Sequence, residues 1–345
     1  MRFIFFISFF ILLSCNNKKQ EKQEKQEKPR SELAILSQAI SASPNTPINF
    51  VKRAEYFLAK DNLESALMDY KECVKFSPNN RNYHYKLAFL YFEIAKYDRT
   101  QHQYPNKASS HVEKSLLLDP NHIPSLLLKG ELHLAAISQE KEAIACLNQI
   151  IELDYNTPRA HLLKGYIYAK LGEQKKAIQY FHNAIDINPS LEDAYLQLGL
   201  IFQQRKDSIA VIYYRNVLKI NPKNKLALFG LGSYYQETEQ WNEAIKAYTH
   251  LLQIYPTYAD AYYNIGFVHI KLGLYDVAAN DFSQAISFNP NFYEAYFSRG
   301  HCFETLGDIA RAELDYRRAI EINRDYKNAK DALYTLLKKN QQIKK

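Results

Sequence analysis

One spacing constrains this chain more than any other feature. Ala54, Ala88, Gly130, Gly165, Gly199, Gly232, Gly266 and Gly300 follow one another at intervals of 34, 42, 35, 34, 33, 34 and 34 residues. Each is followed, 11 to 20 positions later, by an alanine: Ala66, Ala108, Ala143, Ala177, Ala210, Ala244, Ala278 and Ala312. A period of this length means short units that cannot bury their apolar sides alone and stack on their neighbours, not one globular core. The question of function shifts with it, from which residues catalyse to what lies against the array.

Numbering each unit from its start gives repeats at 47–80, 81–122, 123–157, 158–191, 192–224, 225–258, 259–292 and 293–326. The seventh unit has Tyr262 at position 4, Ile265-Gly266 at 7 and 8, His269 at 11, Ala278 at 20, Phe282 at 24 and Pro290 at 32. Positions 4, 7, 8 and 11 share one stripe of a helix, and positions 20, 24 and 27 share a stripe of a second. Small residues at 8 and 20 let the two helices approach, and large ones at 4, 11 and 24 fill the surrounding space. Proline at 32 ends the second helix because it cannot continue the hydrogen-bond ladder. Gly172, Gly273 and Gly307 fall in the turn between the helices, where positive φ is needed. Of ten glycines only Gly230 has no place in this scheme, which leaves little for a phosphate-cradling loop.

The pattern resembles the tetratricopeptide repeat, and the resemblance covers roughly residues 31 to 340. It implies an all-α, right-handed α-solenoid of about eight helix-turn-helix repeats. Residues 31–46 hold an orphan second helix that ends at Pro44. Residues 327–345 hold a polar-faced capping helix, with Lys330 where a large residue would stand, and a basic tail.

The N-terminus obeys other rules. Arg2 precedes an apolar run from Phe3 to Leu13, too short to span a bilayer but suited to a signal peptide. It ends in Leu12-Leu13-Ser14-Cys15, which resembles a bacterial lipobox: residues 1–14 would be removed and Cys15 acylated, giving a membrane lipoprotein. An ordinary signal peptide with an incidental cysteine, or an uncleaved anchor, are the alternatives. Residues 15–30 continue with three Gln-Glu-Lys triplets and no apolar side chain after Cys15, so they read as a flexible tether of roughly 20 Å. The expected place is the outer membrane of a Gram-negative cell, facing the periplasm.

The net charge of +7 sits at the ends, because residues 31–326 carry 31 Lys and Arg against 33 Asp and Glu. Such an array lacks the cationic excess of a nucleic-acid binder, and no nucleic-acid partner is expected. Cys73, Cys146 and Cys302 are far apart and read as small buried hydrophobes. His102, His111 and His122 lie near one another, but no metal-ligand spacing occurs. His133 and His269 occupy the aromatic position 11. No metal, cofactor or catalytic group is expected.

In tetratricopeptide arrays the first helices line a concave groove, so the resemblance implies a partner site there. At position 5 this groove would hold Tyr85, Leu127, Leu162, Leu196, Phe229, Tyr263 and Phe297, beside Val51. Position 9 adds Phe89, Tyr166 and Phe267, with Leu200. A continuous apolar stripe suits a peptide or helix segment of a protein partner. Arg53, Lys129, Lys164 and Arg299 at position 7 are expected to lay their stems on the helix pair and send their charges to water. Unit two carries an insertion over 96–105, expected to lengthen the turn or add helix. The resulting expectation is a membrane-anchored scaffold or adaptor of the cell envelope, not an enzyme. The alternatives are a carbohydrate- or peptidoglycan-associated binding protein, or a cytosolic chaperone-type module with an uncleaved N-terminus.

Overall fold

The computed structural model describes residues 31–98, 100–136 and 139–343, with side chains as far as residue 340. The expected signal peptide, Cys15 and the tether lie outside the described residues. Among the described residues the chain forms eighteen helices and no strand. It divides into two compact units, the second of which begins at Pro105. The first contains α1 (Glu32–Ala42), α2 (Pro47–Leu58), α3 (Leu63–Phe76) and α4 (Arg81–Tyr97). The second contains α5 (Tyr104–Leu118), which begins one residue before it, α6 (Ile123–Ala135), α7 (Glu140–Leu153), α8 (Pro158–Lys170) and α9 (Gln174–Ile187). It continues through α10 (Glu192–Gln204), α11 (Ile209–Ile220), α12 (Lys225–Glu237), α13 (Trp241–Ile254) and α14 (Ala259–Lys271). The last elements are α15 (Tyr275–Phe288), α16 (Tyr293–Thr305), α17 (Ile309–Ile322) and α18 (Lys327–Ile343). None of the described helices is long and apolar enough to cross a membrane.

In five of the pairs the second helix lays a ring over the glycine of the first. A Cβ on Gly165 would meet the Phe181 ring at 2.4 Å, and one on Gly232 would meet Tyr248 at 2.4 Å. The same holds for Gly199 under Tyr214 at 2.7 Å, and for Gly266 under Phe282 and Gly300 under Tyr316 at 2.9 Å each. All eight alanines of the repeat are fully buried. Gly230, unassigned from the sequence, also makes room for a ring: its Cβ would meet Tyr214 at 2.6 Å. That ring is therefore held between Gly199 of its own pair and Gly230 of the next.

Successive pairs meet through contacts in which at least one residue is alanine. Ala184 and Ala194 share one core, as do Val217 with Ala227, Leu251 with Ala261, and Ala285 with Ala295. Where serines replace them, Ser125 donates to Ser115 at 2.8 Å, so neither buried hydroxyl is left unmatched. The end helix α18 buries Ala329 and Leu336 and leaves Tyr334 exposed.

The connections are equally regular. After the second helices, Asp119, Asp154, Asn188, Asn221, Asn289 and Asn323 each accept the N–H two residues on, at 3.0 to 3.2 Å. This Asx-turn is closed by a local side chain, and it explains why Asp or Asn so often stands before the proline. Inside the pairs, the turn residue has positive φ whether it is Gly273 (76°) or Asp61, Lys206 or Glu239 (55° to 58°). The next N–H then bonds the carbonyl five residues back, as in Leu274 to His269 at 2.9 Å and Asp207 to Phe202 at 3.0 Å. The insertion of unit two does both things expected of it: α4 runs on to Tyr97, 17 residues in all, and a connection to Tyr104 follows.

Two substitutions separate these forces in denaturant unfolding. Gly232→Ala drives a methyl into the Tyr248 ring and is expected to cost about 1–3 kcal/mol. Lys206→Gly relieves a left-handed backbone and is expected to stabilise by up to about 1 kcal/mol, because the gain of about 1–2 kcal/mol is partly offset by glycine entropy. A neutral Gly232→Ala would mean that the helices are not held at this distance by the missing Cβ.

Candidate partner surface

In the second unit the first helices neighbour one another, α6 with α8, α10 with α12 and α14 with α16. They expose one face of each pair. The ten residues expected to line it fall into two groups. At position 5 Leu162 and Leu196 are buried, whereas Tyr85, Leu127, Phe229, Tyr263 and Phe297 are half-buried. Leu162 is fully buried and Leu196 nearly so, and each belongs to a core cluster. Tyr263 lies 5.5 Å from Phe282 and 4.9 Å from Phe292, and Phe297 lies 5.7 Å from Tyr316 and 5.4 Å from Tyr326. Phe229 is held likewise by Tyr248 and Tyr258 at 5.7 and 6.0 Å. These rings wedge each second helix against the start of the next repeat, and Leu127 packs on a core in the same way. In the first unit Tyr85 and Phe89 face each other at 6.4 Å.

Position 9 opens furthest at Leu200. Tyr166 and Phe267 are half-buried, and burial, then Asp193, push the Tyr166 hydroxyl up to about 12. Leu200 is 41% exposed, and Leu226, at position 2 of the next unit, is 62% exposed. Leu226 escaped the sequence reading because position 2 shows no periodic preference. In the preceding pair of repeats the corresponding positions hold Glu131 and Arg159, which bond at 2.8 and 3.0 Å. An ion pair on one stretch of the face is thus replaced by two uncovered leucines on the next.

The face also receives hydroxyls from below. Tyr214 donates to Gln203 at 2.6 Å, Tyr248 to Gln236 at 3.2 Å and Tyr316 to Glu304 at 2.7 Å. Where the ring is Phe181 or Phe282, the matching position 12 holds Ala169 or Ile270. Ring identity and face polarity therefore go together, since a buried hydroxyl needs an acceptor. In the first unit Tyr70 and Lys86 both donate to Glu55, at 2.6 and 3.1 Å. Burial pushes the Glu55 carboxyl up, but these two donors outweigh it and hold the group below its ordinary value.

The position-7 cations do not simply reach water. Arg53 clamps Asp69 through two bonds of 2.9 and 2.6 Å and also donates to Ser37. Arg299 does the same to Asp315, at 2.8 Å through each bond, and donates to Ser283 at 3.0 Å. Lys164 reaches Asn148 at 2.6 Å and Lys129 reaches Glu113 at 2.7 Å. All these partners lie 16 residues away, so a polar seam ties each such helix to the second helix before it, after it, or both. In the seventh unit Ile265 stands at position 7, and His269 takes the corresponding acid, Asp281, at 2.6 Å. Burial raises the Asp281 carboxyl, and His269 offsets part of that rise.

The remaining chemistry is quiet. Burial pushes the thiols of Cys73 and Cys302 up to about 12, so neither is a thiolate at neutral pH. His161 is buried against Tyr155 and Tyr180, and burial lowers its pKa. Its Nε2 bonds the Tyr155 carbonyl at 2.9 Å, the same service that His84 and Tyr262 give to Pro78 and Pro256. Among the described residues no group of His, Cys, Asp or Glu could hold a metal ion.

Comparison with known families finds tetratricopeptide repeats in this chain. Models of the tetratricopeptide repeat match residues 158–191, 259–292 and 293–326, and a model of the TPR repeat matches 234–273. A model of the Est1 DNA/RNA binding domain matches residues 177–215. A TPR repeat-containing protein of Methanocaldococcus jannaschii is 25% identical over 161 residues. The match spans 46% of this chain and only 28% of that relative. Among solved structures, the APC/C hetero-tetramer Cut9–Hcn1 is similar with a TM-score of 0.50 and 17% identity, over 88% of this chain and 58% of that one. This is a likeness of fold. MamA is similar over 50% of this chain and 97% of its own, with a TM-score of 0.45 and 24% identity. YrrB, described as a TPR protein with an unusual peptide-binding site, has a TM-score of 0.45 and 18% identity over 54% of this chain and 96% of its own.

The seam makes a prediction about stability. Arg299→Met strands the buried Asp315 carboxylate and is expected to cost about 3 kcal/mol, whereas Arg299→Met with Asp315→Leu recovers most of that loss. Equal destabilisation of the single and double variants in denaturant titration would contradict the pairing.

Proposed function

We propose that this chain is a scaffold held at a bacterial membrane through a lipidated Cys15, and that its first-helix face takes a peptide or helix segment of a partner protein. Tetratricopeptide repeats imply a protein–protein interaction scaffold, and proteins built from them are in general not enzymes. The observation that supports this face as the contact is the pair Leu200 and Leu226, uncovered at adjoining repeats and flanked by half-buried Tyr166 and Phe267. Two exposed leucines beside aromatic anchors suit a buried hot spot. Charge favours protein over nucleic acid. The stretch that matches the Est1 model carries Arg205, Lys206 and Arg215 against Asp186, Glu192, Asp193 and Asp207. Phosphate recognition needs a basic excess, which this stretch lacks.

Membrane anchoring rests on the sequence Leu12-Leu13-Ser14-Cys15 and on the apolar-free stretch that follows the cysteine. Acyl chains on Cys15 give stable attachment when there are two or more. The place proposed is the outer membrane, on its periplasmic side.

Covering the open part of each leucine is worth about 1 kcal/mol, so Leu200→Ser with Leu226→Ser is expected to weaken partner binding by roughly tenfold or more while helicity is kept. Recovery of bound proteins from solubilised membranes measures this, and an unchanged set of partners rejects the face. Radiolabelled palmitate is expected on the wild type and not on Cys15→Ser. Absence of label on the wild type would refute the anchor.

A further inference from the structure

The insertion of unit two builds something that the regular repeats lack. The other first helices have 12 or 13 residues, whereas α4 has 17. The extra turn, about 6 Å at 1.5 Å per residue, carries Ile94, Tyr97 and Asp98 alongside the α2–α3 turn. Together with Asp61, Asn62, Leu63 and Glu64 they enclose a cleft of about 440 Å³. That volume lies within the usual range for ligand sites, about 300–1,000 Å³. Its floor is apolar: Ile94 is buried and Leu63 half-buried. Its wall is Tyr97, 82% exposed. Three carboxylates, Asp61, Glu64 and Asp98, line it.

Two of the nearby lysines are engaged elsewhere. Lys96 pairs with Glu93 and lies over the Phe92 ring, and Lys71 lies over Tyr91. Asp61 and Glu64 have no ion-pair partner among the described residues. Asp98 is held by Thr100 and Gln101, bonds that fix its position and keep it ionised. An apolar floor, an open aromatic ring and unneutralised carboxylates together match one kind of side chain. That is a long aliphatic stem ending in a cation, which can stack on the ring and pair with the acids. Asn62 does not compete, since its carbonyl caps α3 by accepting from Ser65.

We propose that this cleft is a second docking site, which takes an arginine- or lysine-bearing segment of a partner protein. It is separate from the first-helix face and does not depend on that face being a contact. A partner engaged at both sites gains avidity, because the second contact becomes intramolecular. The segment threads its basic side chain between Tyr97 and the Asp61–Glu64 turn, with apolar neighbours over Leu63 and Ile94. Affinity falls with salt, since the contacts on the rim are solvated.

The test is fluorescence anisotropy on the full chain in detergent. The probe is a short labelled peptide with two adjacent arginines flanked by leucines, compared with its glutamate-for-arginine counterpart. The arginine peptide is expected to bind, and its counterpart is not. Asp61→Asn with Glu64→Gln, and separately Tyr97→Ala, are each expected to weaken binding by about tenfold or more with unchanged helicity. Asparagine suits the left-handed backbone of residue 61, so the acid variant keeps the turn. Leu200→Ser with Leu226→Ser is expected to leave this binding unchanged, which separates failure here from failure of the first-helix face. Equal binding of both peptides, or full binding by the cleft variants, overturns the proposal. So does competition by an unlabelled peptide of residues 16–30 as strong as that by the unlabelled arginine peptide, because it would assign the cleft to the protein's own tether.

Discussion

A Phe or Tyr ring lying where a Cβ would otherwise stand is the contact on which this structure depends. In five consecutive pairs the glycine at position 8 brings two helix backbones close enough for the ring at position 24 to cover it, at 2.4 to 2.9 Å from the absent Cβ. Close approach fixes the angle and register of the pair, because a packed interior adjusts to an added methyl only at a cost. The buried alanines of each second helix serve the same contact from the other side. Once a pair is set in this way, the alanines on its outer side let it stack on the next pair.

The ring also decides what the exposed face looks like. A tyrosine sends its hydroxyl through to the face, and glutamine or glutamate receives it. A phenylalanine leaves that spot apolar. The polar seam through Arg53 and Arg299 adds specificity at the first and last repeats, with one guanidinium joining three helices at each place. Core, seam and face are therefore coupled: changes to ring chemistry in the interior alter the polarity of the exposed face.

Much of this was legible in the sequence, for a physical reason. A period of 34 residues repeats the same contact, so each copy checks the others. Helix starts at Pro47, Arg81 and Pro158, the buried cysteines, and the stop at each proline all follow from it. Side-chain orientation at position 5 did not. Tyr263 and Phe297 are half-buried, and periodicity, which places them on the first helix, says nothing of the neighbouring rings of Phe292 and Tyr326. Ion pairs were equally hidden. Arg299 and Asp315 are 16 residues apart, a separation with meaning only once two helices lie side by side. Leu226 and the cleft beneath Tyr97 were hidden because neither recurs from unit to unit, and a feature that occurs once carries no copies to compare.

Function follows the same division. The repeat accounts for most of the buried core, and the function proposed for this chain lies on the surfaces that the core leaves. The exposed leucines of α10 and α12 are the contact proposed on one of them. A photo-crosslinking amino acid placed at Leu226 or at Ile212, an equally exposed residue on the second helix α11, compares the two faces of one array in living cells. The account predicts a discrete protein adduct from position 226 and none from 212. Adducts from 212 alone, or equally from both, would contradict it.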